Sequence, residues 1–316
     1  MAEALIDRLD RAIDVIVSRG DASAALADAE LAPLAVVASQ LRSCPSASFK
    51  ARLRANLERR TAMSIVLEPT VIREGFTTVT PFIQARDSSF LDFITKAFGA
   101  VEIASAPTPN HIHREVRIGD SMLMISERAS MASGSPHGSF HIFVPDVDRV
   151  FERAIAAGGK SLSAPENRPY GERSGFVEDP LGNYWFIGTS LGPTPVPQGL
   201  RTVTPYLHPR SAPSYIDFLA RAFGAVEEFR AEHQGVVMHA RVRIGDAAVE
   251  MGEAPERGEN EKPGFYLYVA DVDALHERAV AAGAKSILAP ADQRYGDRLA
   301  MVEDPLGVTW AIARPA

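Results

Sequence analysis

The chain has 316 residues, 46% hydrophobic and 23% charged, with a formal net charge of −7, a balance that excludes a disordered polymer. The acidic excess argues against nonspecific binding to nucleic acid or to an anionic membrane surface. No apolar run approaches the ~18 residues that a membrane span needs, and the length predicts roughly two domains of ~150 residues.

The N-terminus carries Glu3 and Asp7 and lacks the basic region of a signal peptide. The single cysteine, Cys44, rules out an intramolecular disulfide and fits a reducing, cytoplasmic compartment. Cys44 has no neighbouring histidine and reads as a buried thiol rather than a nucleophile. Residues 1–63 show helical spacing: Leu5, Leu9, Ile13 and Ile16, then Leu31, Leu34, Val37 and Leu41, then Phe49, Leu53 and Leu57. The third helix is basic through Lys50, Arg52, Arg54, Arg59 and Arg60, a pattern that most simply marks a solvated face and alternatively a partner-docking one. The spacing thus predicts an N-terminal helical segment over 1–73.

Beyond it the chain repeats. Val177-Glu-Asp-Pro-Leu-Gly-Asn-Tyr-Trp185 returns as Val302-Glu-Asp-Pro-Leu-Gly-Val-Thr-Trp310, 125 residues later. Asp-Pro-Leu-Gly is turn chemistry, and the apolar residues after it read as a strand. Thr78-Val-Thr-Pro-Phe-Ile83 matches Thr202-Val-Thr-Pro-Tyr-Leu207, and the helix ending Ala97-Phe-Gly-Ala100 matches Ala222-Phe-Gly-Ala225. Val116-Arg-Ile-Gly-Asp120 matches Val242-Arg-Ile-Gly-Asp246, where Gly-Asp between apolar runs signals a hairpin. Asp146-Val-Asp148 matches Asp271-Val-Asp273, and Tyr170-Gly-Glu-Arg173 matches Tyr295-Gly-Asp-Arg298. A finer period divides each copy into two βαβββ units. The expected fold class is therefore α+β: two tandem domains of paired βαβββ units, over 74–192 and 201–316, joined by a Pro-rich linker at 193–200. Each domain's two units are expected to curl around a cavity of their own, because one unit leaves an apolar sheet face open.

These ordered motifs, appearing twice, resemble the vicinal oxygen chelate superfamily (glyoxalase, bleomycin resistance and dioxygenase proteins), and within it a PhnB-like branch. The resemblance covers about residues 77–316 and implies cup-shaped small-molecule sites. It also implies one divalent metal (Fe, Ni or Zn) held by His and Glu. The implied ligand positions fall near Thr80, Met124, Ser139 and Phe186 in the first domain. In the second they fall near Thr204, Glu250, Gly264 and Ala311, so only Glu250 is a metal ligand and the usual site is absent from both copies.

Other residues remain as candidates. His141 and His208 share strand parity with the lost ligands and are candidate catalytic groups. His208, His239 and Glu250 form a candidate three-ligand metal site, with His113 equivalent to His239 in the first copy; the simpler reading gives these histidines sheet or cavity roles without metal. Arg173 and Arg298 are candidate clamps for a substrate carboxylate or phosphonate, the alternative being ion pairs that fix their loops. Tyr184, Phe186, Tyr266 and Tyr268 are candidate cavity linings, and Glu127 and Glu253 are expected to face solvent. No Walker loop, dinucleotide fingerprint, Gly-x-Ser-x-Gly elbow or Cys-x-x-Cys pair is present.

Function therefore has two main expectations, beside a third reading of a regulator whose basic helix docks a partner while the domains sense a ligand. One is a metal-dependent lyase, isomerase or dioxygenase acting on a small oxygen-rich molecule through a non-standard His/Glu site. The other is a metal-free binding or antibiotic-sequestering protein. A monomer or homodimer is expected, with a small-molecule ligand and neither membrane nor nucleic acid as partner.

Overall fold

The computed structural model describes residues 72–130, 137–254 and 263–316. The expected helices of residues 1–63, with Cys44 and the basic face, lie outside the described residues, as do parts of the two inter-unit loops.

Four units follow one another, and each is a βαβββ run. Unit one holds β1 (Val79–Ala85), α1 (Ser89–Phe98), β2 (Val101–Pro107), β3 (Ile112–Ile118) and β4 (Ser121–Glu127). Unit two holds β5 (Ser139–Phe143), α2 (Val147–Ala156), β6 (Lys160–Arg168), β7 (Glu172–Glu178) and β8 (Tyr184–Ser190). Unit three holds β9 (Val203–Leu207), α3 (Ala212–Phe223), β10 (Val226–His233), β11 (Val236–Ile244) and β12 (Ala247–Met251). Unit four holds β13 (Gly264–Tyr268), α4 (Val272–Ala282), β14 (Lys285–Asp292), β15 (Arg298–Glu303) and β16 (Thr309–Arg314).

Local chemistry sets the helix ends. Asp146 and Asp271 cap α2 and α4 by accepting from the backbone N–H of Arg149 and Ala274 at 3.1 and 3.0 Å. α1 and α3 stop at Gly99 and Gly224, whose φ values of 72° and 75° lie in the left-handed region that glycine enters without penalty. The helices of units one and two share a core with Phe140 and Trp185. Those of units three and four share a second core with Phe265 and Trp310.

The recurrent Asp-Pro-Leu-Gly turn belongs to these cores. Asp179 Oδ1 accepts from the backbone N–H of Leu181 and Asn183, and its Oδ2 accepts from Asn183 Nδ2 and Trp185 Nε1. Asp304 does the same for Leu306, Val308 and Trp310, and it also accepts from the Tyr215 hydroxyl at 2.6 Å. Each motif thus ties a turn to the largest side chain of its core.

The sheets do not follow the expected pairing. One runs β14-β15-β16-β13-β1-β4-β3-β2 and the other β10-β11-β12-β9-β5-β8-β7-β6. Unit one therefore completes a sheet with unit four, and unit two with unit three. The cups are formed across the repeats, not within each, which corrects the sequence-based expectation. Central joints are antiparallel: Thr80 opposes Tyr266 in one sheet and His141 opposes Thr204 in the other.

A reciprocal clasp accompanies this crossing. Thr78 N donates to Asp246 Oδ1 at 2.7 Å, and Thr202 N donates to Asp120 Oδ1 at 2.8 Å. At the matching turn glycines, a Cβ on Gly245 would sit 2.2 Å from Thr78 Oγ1 and one on Gly119 would sit 2.3 Å from Thr202 Oγ1. Two of the repeated motifs thus recognise each other's copies. Their identity in both repeats is why sequence could not say which copy each would bind.

Candidate functional site

In the sheet of units two and three, strand alternation sends His141 and Phe143 of β5, Phe186 of β8, Tyr206 of β9 and Glu250 of β12 to one face. Glu172, at the start of β7, and His239, on β11, reach the same place. His141 Nδ1–H donates to Glu250 Oε2 at 3.0 Å. On the other side of the ring, His141 Nε2 lies 3.2 Å from Glu172 Oε2, off the line of an aligned hydrogen bond. The second oxygen of Glu250 is 3.2 Å from His239 Nε2, and the Tyr206 hydroxyl lies 3.4 Å from His239 Nδ1. His141, Glu172 and Glu250 are all buried.

Within this cluster, His141 and Glu250 shift each other's titration in opposite directions. Burial by itself disfavours imidazolium, but the Glu250 charge, aided by both carboxylates' contacts, outweighs it and raises the His141 pKa. Burial likewise disfavours a charged Glu250, but the positive His141 and contacts from both histidines hold its carboxyl below the usual range. Both shifts run in the direction that favours the ionic form of the pair.

Aromatic rings enclose it. Phe143 lies over His141 at 4.0 Å between centroids, and Phe186 stacks on Phe176 at 4.3 Å. Tyr206 is 5.0 Å from both Phe186 and His208. Two glycines make room. A Cβ on Gly188 would stand 2.9 Å from both His141 Nε2 and Glu172, and one on Gly252 would stand 2.7 Å from the Tyr206 hydroxyl.

The candidates named from sequence divide. His141, His208, His239, Glu250 and Phe186 gather in this cup, with Tyr184 near Phe176 at 5.5 Å. Tyr266 and Tyr268 stand in the other cup, packed with Phe82 and Phe76 respectively. Arg173 and Arg298 join neither: their guanidinium groups grip Asp148 and Asp273 in fork-like pairs, the loop-fixing alternative. Glu127 pairs with Arg114, and Glu253 accepts from the backbone N–H of Ala212 at the start of α3. Both are engaged rather than simply solvent-facing.

The sequence reading passed over Glu172, the residue beside Arg173. The available signal was Gly188, where the second copy has Ala313. Only the glycine leaves space for a glutamate against the histidine.

The metal that the resemblance implies does not fit these donors. Both oxygens of Glu250 are turned to imidazoles, and His208 packs against Tyr206 and Phe186. Among the described residues, no three His, Cys, Asp or Glu side chains are placed to hold one ion. The candidate set His208, His239 and Glu250 is therefore not assembled. In the equivalent cup of units one and four, Met124 and Ala311 occupy the corresponding strand positions.

A family model for the glyoxalase/bleomycin resistance protein/dioxygenase superfamily matches residues 85–187 and 209–312. The chain belongs to this superfamily. An uncharacterised protein of Mycobacterium tuberculosis is 33% identical over 148 residues, spanning 43% of this chain and 82% of its own. CFP32 of Mycobacterium bovis, provisionally assigned as a glyoxylase, is 28% identical over 202 residues, 60% of this chain and 75% of its own. Glyoxalase I from Zea mays shares the fold, with a TM-score of 0.61 at 15% identity over 74% of this chain and 91% of that one. Among the described residues, no helix is long and apolar enough to cross a membrane.

Proposed function

We propose that the cup of units two and three binds a small oxygen-rich molecule and moves a proton on it with its own side chains, without a metal. The carrying observation is His141, pinned at Nδ1 by Glu250 and facing Glu172 through Nε2 at 3.2 Å. A charged imidazole donates from Nε2 to a carbonyl oxygen, and Glu172 accepts a proton from the adjacent carbon. That carbon's electron pair moves into the developing enediol. Glu172 then returns the proton to the neighbouring, former carbonyl carbon, while the first carbon's hydroxyl gives its proton back to His141 Nε2 and becomes the new carbonyl, which completes an isomerisation. Glu250 holds the ring in orientation and charge, and the aromatic wall excludes water.

Hydroxyacetone and dihydroxyacetone in D₂O provide the test, with exchange of carbon-bound hydrogen followed by proton NMR. Exchange abolished by Glu172→Gln and by His141→Gln supports the reading. Exchange that persists after chelator treatment supports its metal-free part, whereas activity lost on stripping and restored by Fe(II), Ni(II) or Zn(II) would overturn that part.

A second reading rests on the stacked rings Phe176 and Phe186: a sequestering protein that binds an aromatic molecule and leaves it unchanged. Tight binding without exchange would favour it. Within the superfamily, the ordered motifs favour the PhnB-like branch, and the single cysteine favours the cytoplasm. Both cups closing within one chain favours a monomer.

A further inference from the structure

The cup of units one and four is filled by the chain's own residues. Ile72 and Phe76, from the segment leading into β1, pack with Met122, Met124, Leu299 and Ala313 on its apolar floor. Phe76 meets Tyr268 edge-on at 6.0 Å between centroids. Arg73 lays its guanidinium 4.9 Å over the Phe76 ring and forms an ion pair with Glu115, a buried carboxylate on β3. Glu115 also lies 3.6 Å from His113 Nε2. Beside the segment a cavity of about 450 Å³ opens between Phe76, Ile103, Arg117 and Met122.

The floor differs from that of the other cup at the positions that matter. Tyr266 stands where the other has His141, Met124 where it has Glu250, and Ala311 where it has Phe186. The His141–Glu250 pair thus has no counterpart here, and the apolar floor accommodates a ring. What the segment supplies is an apolar body with a cation stacked on it. What the cup supplies in return is an apolar floor, a phenol and one buried carboxylate.

We propose that this cup is a second ligand site, for a small organic cation with an aromatic or aliphatic body, and that Ile72–Phe76 is its built-in competitor. Removal of the segment takes the guanidinium partner from Glu115 and leaves it only His113 Nε2 at 3.6 Å, so a ligand that covers the carboxylate again without a positive charge buries it unpaired, a costly state. A neutral apolar molecule would leave that cost in place; a cation removes it. The ligand therefore displaces Arg73 and Phe76 together by reproducing both, and binding releases the segment that leads to residues 1–71.

Phenethylguanidinium, which joins a phenyl ring to a guanidinium, is the probe, titrated calorimetrically into the full chain. The wild type binds weakly because the segment competes. Arg73→Ala/Phe76→Ala binds at least about tenfold tighter as that internal competition is removed, and adding Glu115→Gln to this variant abolishes the gain. Equal affinity for wild type and double variant, or a gain that survives Glu115→Gln, overturns the proposal. Should the double variant fail to fold, Arg73→Ala alone replaces it: tighter binding than the wild type supports the proposal, and equal or weaker binding overturns it. Trypsin cleavage after Arg73, read by mass spectrometry, accelerates severalfold if Glu115 holds the segment down, and an unchanged rate overturns the proposal.

Discussion

His141 on β5 and Glu250 on β12 stand 109 residues apart in the chain and 3.0 Å apart in the fold, joined by a hydrogen bond between opposite charges. This contact links the second unit to the third, so it reports on the crossed sheet as well as on the site. His141→Ala leaves Glu250 buried beside a single, half-exposed histidine and is expected to destabilise the protein by about 3–5 kcal/mol. Urea unfolding followed by tryptophan fluorescence measures this. A change within ~0.5 kcal/mol would mean that the carboxylate is not buried against the histidine.

The same pair sets a pH window. Glu250 has a depressed folded pKa, so its stabilisation is full above the ordinary carboxylate value of ~4.3 and is lost as pH falls through the folded value. His141 has a raised folded pKa, so its stabilisation is full below ~6.5 and is lost as pH rises through the folded value. The His141 ring protons should therefore keep imidazolium chemical shifts through neutral pH in a two-dimensional NMR titration. A midpoint near 6.5 would show that Glu250 does not hold the ring charged.

Gly188 tests the spacing of acid and base. Gly188→Ala places a methyl group 2.9 Å from both His141 Nε2 and Glu172. The expected result is loss of carbon-acid exchange, with a stability cost of about 1–3 kcal/mol from overpacking. Retained exchange at the wild-type rate would separate Glu172 from the chemistry.

Arg173 and Glu172 make a paired control, because neighbours on a strand face opposite ways. Glu172→Gln should abolish exchange. Arg173→Gln releases the ion pair with Asp148 and the hydrogen bond to Asn167 Oδ1 and should leave both KM and kcat unchanged. A raised KM for Arg173→Gln would return it to the substrate site.

Asp304 anchors a turn through two backbone N–H groups, the Trp310 indole and the Tyr215 hydroxyl. Asp304→Ala leaves four donors without their acceptor, at about 1–3 kcal/mol for each that stays buried. The sum should exceed the effect of Asp304→Asn, which keeps one oxygen. Thermal melts of the two variants compare them directly.

Much of this architecture is legible in the sequence, and for physical reasons. Helix caps such as Asp146, left-handed stops such as Gly99, and the Asp179 turn are local interactions, so a short motif specifies each. The repeated units follow from them. The crossing of sheets is not local: Thr78 meets Asp246 rather than Asp120, and the two hairpins carry the same residues. In the site, strand parity places His141 and Glu250 on inward faces. Glu172 is hidden because a glutamate beside an arginine in a turn motif looks like surface charge. Its burial becomes visible only through Gly188, a partner on another strand.

The crossed sheets also bear on how such a molecule can change over time. A polypeptide carrying one repeat could complete a cup only by meeting a second copy of itself, and both resulting cups would then have to be identical. Once the copies are joined in one chain, a substitution on β12 alters one cup and leaves the other untouched. Glu250 against Met124, and His141 against Tyr266, are the outcome of that freedom. Covalent linkage has turned an enforced symmetry into two separately adjustable receptacles, one furnished with charge and the other with its own peptide.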